Sequence, residues 1–182
     1  VAIIGGGVGG GAAALALAEA GRTVVLTEEF AWIGGQLTSQ AVPPDEHGWI
    51  EKFGCTRTFR RFRELVRAYY RTHYPLLPVH RDNPRLNPGN GWVSPLCHEP
   101  RVALAVLEAM LAPHVSSGRI SILRRHRPIA TRADGADRIG AVIVRDLAGG
   151  GEVELRARFY LDATEQGELL PLAAVEHVTG AE

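Results

Sequence analysis

The chain has 182 residues, 46% of them apolar, with 20 Lys and Arg balanced by 20 Asp and Glu. That is the size of one domain with a real core and short for a complete two-domain enzyme, and zero net charge argues against bulk electrostatic attraction to nucleic acid or an anionic membrane. Its two cysteines, Cys55 and Cys97, cannot build a disulfide framework, neither has metal-ligand spacing, and no apolar run reaches the roughly 18 residues of a membrane span.

Val1-Ala2-Ile3-Ile4 is a short apolar run ending in glycine, the pattern of a strand buried on both faces of a parallel sheet. Gly5 to Gly7 and Gly9 to Gly11 flank Val8, and Ala12 to Ala20 predict an alanine-rich helix stopped by Gly21. A second apolar strand, Thr23 to Leu26, leads to Glu28, so the chain opens as a βαβ unit. Glu29 to Pro44 reads as loop, interrupted by Gly34-Gly35.

Residues 57 to 73 predict a helix, because Phe59, Phe62, Val66, Tyr69, Tyr70 and His73 recur at helical spacing. Arg60, Arg63, Arg67 and Arg71 fall on its other faces and read as a solvated surface, with Glu64 as a partner for Arg60; the alternative is a face that binds a carboxylate substrate or a phosphate. Pro75 to Pro100 holds six of the 11 prolines and predicts a long irregular segment, which in a compact domain is a functional lid or disordered. A helix follows from about Arg101 to His114. Five strand-like stretches come next: Ile120 to Leu123, Pro128 to Arg132, Ile139 to Asp146, Val153 to Arg158 and Phe159 to Leu161. Turn signals at Asp134-Gly135 and Gly149 to Gly151 predict that three of these form an antiparallel meander.

The strongest chemical signal is Gly5-x-Gly7-x-x-Gly10 between a strand and a helix, with Glu28 eighteen residues beyond Gly10. Gly5 permits the tight turn, Gly7 lets backbone approach a pyrophosphate, and Gly10 lets helix and strand pack closely. The helix N-terminus offers N–H groups and a positive dipole end to phosphates. Glu28 is placed to accept hydrogen bonds from ribose hydroxyls and to disfavour a 2′-phosphate.

Two later stretches, Glu28 to Thr38 with its Gly34-Gly35 pair and Tyr160-Leu161-Asp162-Ala163-Thr164-Glu165, extend the pattern. At these residues the chain resembles FAD-dependent oxidoreductases of the glutathione-reductase-like flavoprotein class. The resemblance implies an α/β, Rossmann-like FAD/NAD(P)-binding fold with a parallel sheet, a β-meander crossover and a partly helical insertion over about residues 40–100. It implies FAD contacts at Gly5, Gly7, Gly10 and Glu28, at Gly35, Gln36 and Thr38, at Ala163 and Thr164, and at about Ile129 for adenine. The usual Ala-Thr-Gly of that class is here Ala163-Thr164-Glu165. Val1 stands inside an apolar run, and the Gly-Asp pair that meets the ribityl chain is expected beyond Glu182; residues 1–182 therefore read as the FAD-binding portion of a longer polypeptide.

No catalytic residue is assigned. Cys55 at a helix entry and Cys97-His98 read as packing residues, and His47 and His80 as exposed loop histidines. The expected activity is oxidation of a small molecule with hydride transfer to flavin N5, with NAD(P)H or another electron acceptor as partner, in the cytoplasm. The alternatives are an NAD-linked dehydrogenase, which would need repeating βαβ units after Glu28; a flavin-dependent nucleic-acid-modifying enzyme, resting on the arginine helix; and an FAD-binding module without turnover.

Overall fold

A computed structural model describes residues 1–180. In chain order its elements are β1 (Ala2–Ile4), α1 (Val8–Glu19), β2 (Val24–Glu28), a 3-10 turn (Gly35–Leu37), α2 (Arg57–His73), α3 (Pro78–Arg81), α4 (Pro100–Ser116), β3 (Ile120–Arg124), β4 (His126–Ala133), β5 (Ile139–Asp146), β6 (Glu152–Leu155), β7 (Tyr160–Asp162) and α5 (Leu169–Leu172). The chain divides into two compact units, one formed by Val1–Ile33 with the segment from Pro113 onward, the other by Gly34–Ala112.

The first unit is built on a parallel sheet of order β3-β2-β1-β7. Ile4 stands at the centre, paired with Thr27 on one side and Asp162 on the other. Because both faces are covered, Ala2, Ile3, Ile4, Val24 and Leu26 are all buried, which is why β1 is continuously apolar rather than alternating. Burial of each such aliphatic side chain contributes about 1.5–3 kcal/mol.

Helix α1 packs with small residues. Gly10, Ala14, Leu15 and Ala18 form its buried side. It starts at Val8, four residues before the expected Ala12, because Gly9 to Gly11 are helical despite their poor propensity.

Strands β4, β5 and β6 form the expected antiparallel meander. Its inward residues Val142, Val144 and Leu155 share one buried cluster with Ala2, Ile4 and Leu169. Tyr160 ties the layers together, its hydroxyl donating to the Gly140 carbonyl at 2.8 Å and accepting from the Ala157 amide at 2.9 Å.

In the second unit α2 has the bounds its periodicity predicts, with Thr56 capping it by accepting from the Phe59 amide at 3.1 Å. Its solvated-arginine reading is corrected: Arg63 and Arg67 are 1% and 6% exposed. The Pro-rich segment is folded against this helix. Arg67 donates Nε–H to the Leu86 carbonyl at 2.9 Å, and Asn87 accepts from the Cys97 amide at 2.7 Å while donating to the carbonyls of Gly91 and Ser94.

Candidate dinucleotide site

The carboxyl ends of β1 and β7 are neighbours in the sheet, so the glycine turn after Ile4 and the Ala163-Thr164 segment after Asp162 must meet. They meet closely. Gly5 has φ +102°, and a Cβ built on it would lie 2.3 Å from the Ala163 carbonyl oxygen and 2.7 Å from the Thr164 nitrogen. A Cβ on Gly10 would lie 1.9 Å from the Gly5 oxygen. Only glycine fits either position, for the two physical reasons the spacing suggests. The strand order also reverses here, with β2 and β3 on one side of β1 and β7 on the other, the topological switch point at which open α/β sheets take ligands.

Gly7 is the N-cap of α1 and brings no side-chain cap, so the first-turn N–H groups have no partner within the helix. Open space lies before Gly9 and Gly11, and a Cβ on Gly7 would meet only Glu165 Oε1, at 3.3 Å. These features fit a dinucleotide: backbone donors, a dipole end, and no side chain between them and a phosphate. Glu165 is the departure from the fit, since it sets a carboxylate beside the same turn.

Glu28 closes the other side. It is the last residue of β2 and is 6% exposed. One carboxylate oxygen accepts from the Phe30 amide at 2.8 Å, and the other lies 2.8 Å from where a Gly6 Cβ would stand. Burial pushes its pKa up, opposed by hydrogen bonds from the Phe30 and Gly6 amides. The fold therefore holds a desolvated carboxylate against the glycine turn.

The side chain of Thr164 closes the turn that follows β7. Its hydroxyl donates to Asp162 Oδ1 at 2.7 Å and accepts from the Glu168 amide at 2.8 Å, while Asp162 Oδ2 accepts from the Leu169 amide at 2.9 Å. The hydroxyl is committed to this turn, which leaves only backbone atoms of residues 163 and 164 to face a ligand. Asp162, the residue that organises the segment, was not singled out in the sequence; the Asp-x-Thr spacing of a side-chain-closed turn was the available signal.

Ile129 sits at the register shift of β4 against β5, between the pairs Pro128 with Val144 and Ala130 with Ile143. A bulge of this kind frees backbone groups from the ladder. Gly35, Gln36 and Thr38 belong to the second unit, in the 3-10 turn and directly after it, with Gly34 and Gly35 both at positive φ.

Of the other candidates, Cys97 and His98 pack against the Pro-rich segment, Cys55 is half-buried, and His47 and His80 are exposed, His80 within α3 rather than in a loop. Cys97 is buried, with Sγ 3.5 Å from the Ser94 carbonyl. His98 donates Nδ1–H to the Glu99 carbonyl at 3.3 Å, its buried Nε2 lacks a hydrogen-bond partner among the described residues, and burial lowers its pKa. His47 bridges the Trp49 amide and the Gly54 carbonyl. Among the described residues no group of His, Cys, Asp and Glu could hold a metal ion, and no helix is long and apolar enough to cross a membrane.

The sequence model of the family described as FAD dependent oxidoreductase matches residues 1–182. The chain belongs to that family. FAD is the cofactor of this family of oxidoreductases, so an NAD-linked dehydrogenase is not the reading that stands. None of the curated proteins matches the sequence.

Among solved structures, the chain is similar to a geranylgeranyl bacteriochlorophyll reductase-like protein from Thermoplasma acidophilum (TM-score 0.55, 16% identity, 99% of this chain and 43% of that one). It is similar also to THI4 from Thermovibrio ammonificans (TM-score 0.53, 16% identity, 96% and 62%). A third is the glycerol-3-phosphate dehydrogenase from Bacillus halodurans complexed with FAD (TM-score 0.51, 14% identity, 89% and 33%). At these identities the likeness establishes the Rossmann-like α/β fold. The chain spans less than two thirds of the length of each of the three.

Proposed function

We propose that this FAD-dependent oxidoreductase belongs to the glutathione-reductase-like class and oxidises a small molecule. The observation that carries the proposal is the meeting of the glycine turn, Glu28 and the Ala163-Thr164 backbone at the switch point of the sheet. In this reading Gly5, Gly7 and Gly10 hold the pyrophosphate against the α1 N-terminus, and Glu28 accepts from ribose hydroxyls. The backbone of Ala163 and Thr164 lines the same cleft, Ile129 meets adenine through its backbone, and Gly35, Gln36 and Thr38 line the cofactor beyond the ribose.

FAD, when bound, would supply two-electron oxidation of a substrate carbon, and an electron acceptor such as NAD(P)+ would be needed to reoxidise it. The protein contributes binding and orientation, and the region of about residues 40–100 together with polypeptide outside this chain supplies the substrate contacts. Glu165 in place of the usual glycine, together with the lack of an assigned catalytic acid or base, supports a second reading, a degenerate FAD-binding module without turnover.

The visible spectrum of the full-length protein separates these readings. A flavin spectrum that bleaches anaerobically with a small-molecule donor is the expected result. A yellow protein that bleaches with dithionite but with no donor across alcohol, amine and carboxylic acid panels supports the module, and a colourless protein that takes up no FAD refutes both.

A further inference from the structure

The arginines of α2 were the motif that the flavin site leaves unexplained. Arg60, Arg63, Arg67 and Arg71 recur at helical spacing, and together with Arg85 from the Pro-rich segment they line one cavity of about 440 Å³ within the second unit. That volume suits a small molecule.

Two of the five are neutralised. Arg63 is paired with Glu46 and Glu51, and Arg67 with Glu51. This leaves a buried group of two cations and two carboxylates with no net charge. Arg63 is pulled down to about 10, first by burial and then by the neighbouring Arg67, so it still carries its charge at neutral pH.

The other three guanidinium groups have no carboxylate partner among the described residues. Arg60 donates to the Ile50 carbonyl at 3.1 Å, and Arg71 donates to the carbonyls of Arg81 and Asn83 at 3.0 and 2.9 Å. Carbonyl acceptors fix a guanidinium in place without cancelling its charge, and N–H groups remain on each fork. Against these three cations the lining offers one further carboxylate, Glu64. The cavity therefore carries two uncompensated positive charges, with the Arg60 and Arg71 side chains held in position before any ligand arrives.

We infer that this cavity binds a doubly charged oxyanion, either the phosphate of a small phosphomonoester or the two carboxylates of a dicarboxylic acid. Planar forks match the oxygens of either group bidentately, and two excess cations match a dianion in charge. The buried Arg63/Arg67/Glu46/Glu51 group forms the floor and holds the geometry. The cavity shares no lining residue with the flavin assignments.

Calorimetric titration of the full-length, FAD-loaded protein at low ionic strength tests it, with inorganic phosphate and succinate as separate probes. Wild type is compared with R60Q, R85Q and, as an exposed control on the other unit, R22Q. Far-UV circular dichroism and the flavin spectrum confirm that each variant is folded, and Arg85, exposed on a loop, can be replaced without touching the buried group. The expected result is saturable 1:1 binding of at least one probe, weakened at least about fivefold in both R60Q and R85Q and unchanged in R22Q. Tighter phosphate binding identifies the phosphomonoester class, and tighter succinate binding the dicarboxylate class. If neither probe saturates, if both lining variants bind like wild type, or if R22Q loses as much, the inference is wrong.

Discussion

Glu28 carries two opposed roles in one side chain. In the cofactor-free fold its carboxylate is buried against Gly6 with its pKa above the usual 4.5, because burial outweighs the hydrogen bonds it accepts. A carboxyl whose pKa rises on folding binds protons more tightly in the native state, so its ionisation opposes folding. Stability falls as pH rises from about 4.5 through the raised folded value, and above that the full penalty is present. Glu28→Gln keeps an acceptor for the Phe30 amide and removes the charge. Cofactor-free E28Q is therefore expected to melt at or above wild type at neutral pH, with the difference shrinking as pH falls through the raised folded value towards about 4.5. In the flavin complex the sign reverses, since loss of a charged acceptor for ribose weakens FAD retention by about 1.5–3 kcal/mol. Melting curves of cofactor-free protein across pH, with an FAD titration, check both signs. A variant that is both less stable without cofactor and unaltered in FAD affinity contradicts the ribose assignment.

At the scale of elements, the glycines of α1 divide into those the fold requires and those it tolerates. Gly10 lies where a methyl group would run into the Gly5 carbonyl oxygen, a backbone atom pinned by its own turn, whereas a methyl on Gly9 meets nothing within 4 Å. Gly10→Ala is expected to destabilise the cofactor-free protein by about 3 kcal/mol or more, and Gly9→Ala to stabilise it by about 0.5–1 kcal/mol through the unfolded state. Urea unfolding midpoints decide this, and equal shifts would mean that close packing of α1 on the turn is not what selects glycine. The same glycines explain what could be read from sequence. The β1-turn-α1-β2 order, the bounds of α2 and the three-stranded meander were legible because each rests on local periodicity or turn chemistry. The start of α1 was not, because tertiary packing holds glycines helical against their propensity. Nor was the membership of β3 and β7 in the parallel sheet, which depends on pairing across 96 residues (Val24 with Ile120) and 158 residues (Ala2 with Tyr160). Arg63 and Arg67 were misread as surface because their carboxylate partners Glu46 and Glu51 stand in a loop outside the helix, where no i,i+4 rule points to them.

Across the whole molecule, zero net charge hides a division. Residues 34–112 carry ten Lys and Arg against seven Asp and Glu, a net charge of +3, while the other unit carries ten against thirteen, a net charge of −3. Within the acidic unit, Glu168 near the switch point has its pKa raised first by burial and then by the charge of Glu29, with Arg127 opposing and Asp162 adding to the rise, and Glu165 stands beside Gly7. In the proposed site a pyrophosphate meets the Glu165 carboxylate and relies on nearby backbone donors, whereas an oxyanion entering the arginine cavity meets a positive field. Salt should act on the two with different signs. Raising ionic strength from about 0.01 M to about 0.15 M shortens the Debye length from about 30 Å to about 8 Å. Phosphate binding at the arginine cavity is expected to weaken over that range, and FAD affinity to hold constant or increase. Parallel calorimetric and flavin-fluorescence titrations on the full-length protein measure the pair, and a parallel weakening of both would show that charge is not divided between the two units as the counts require.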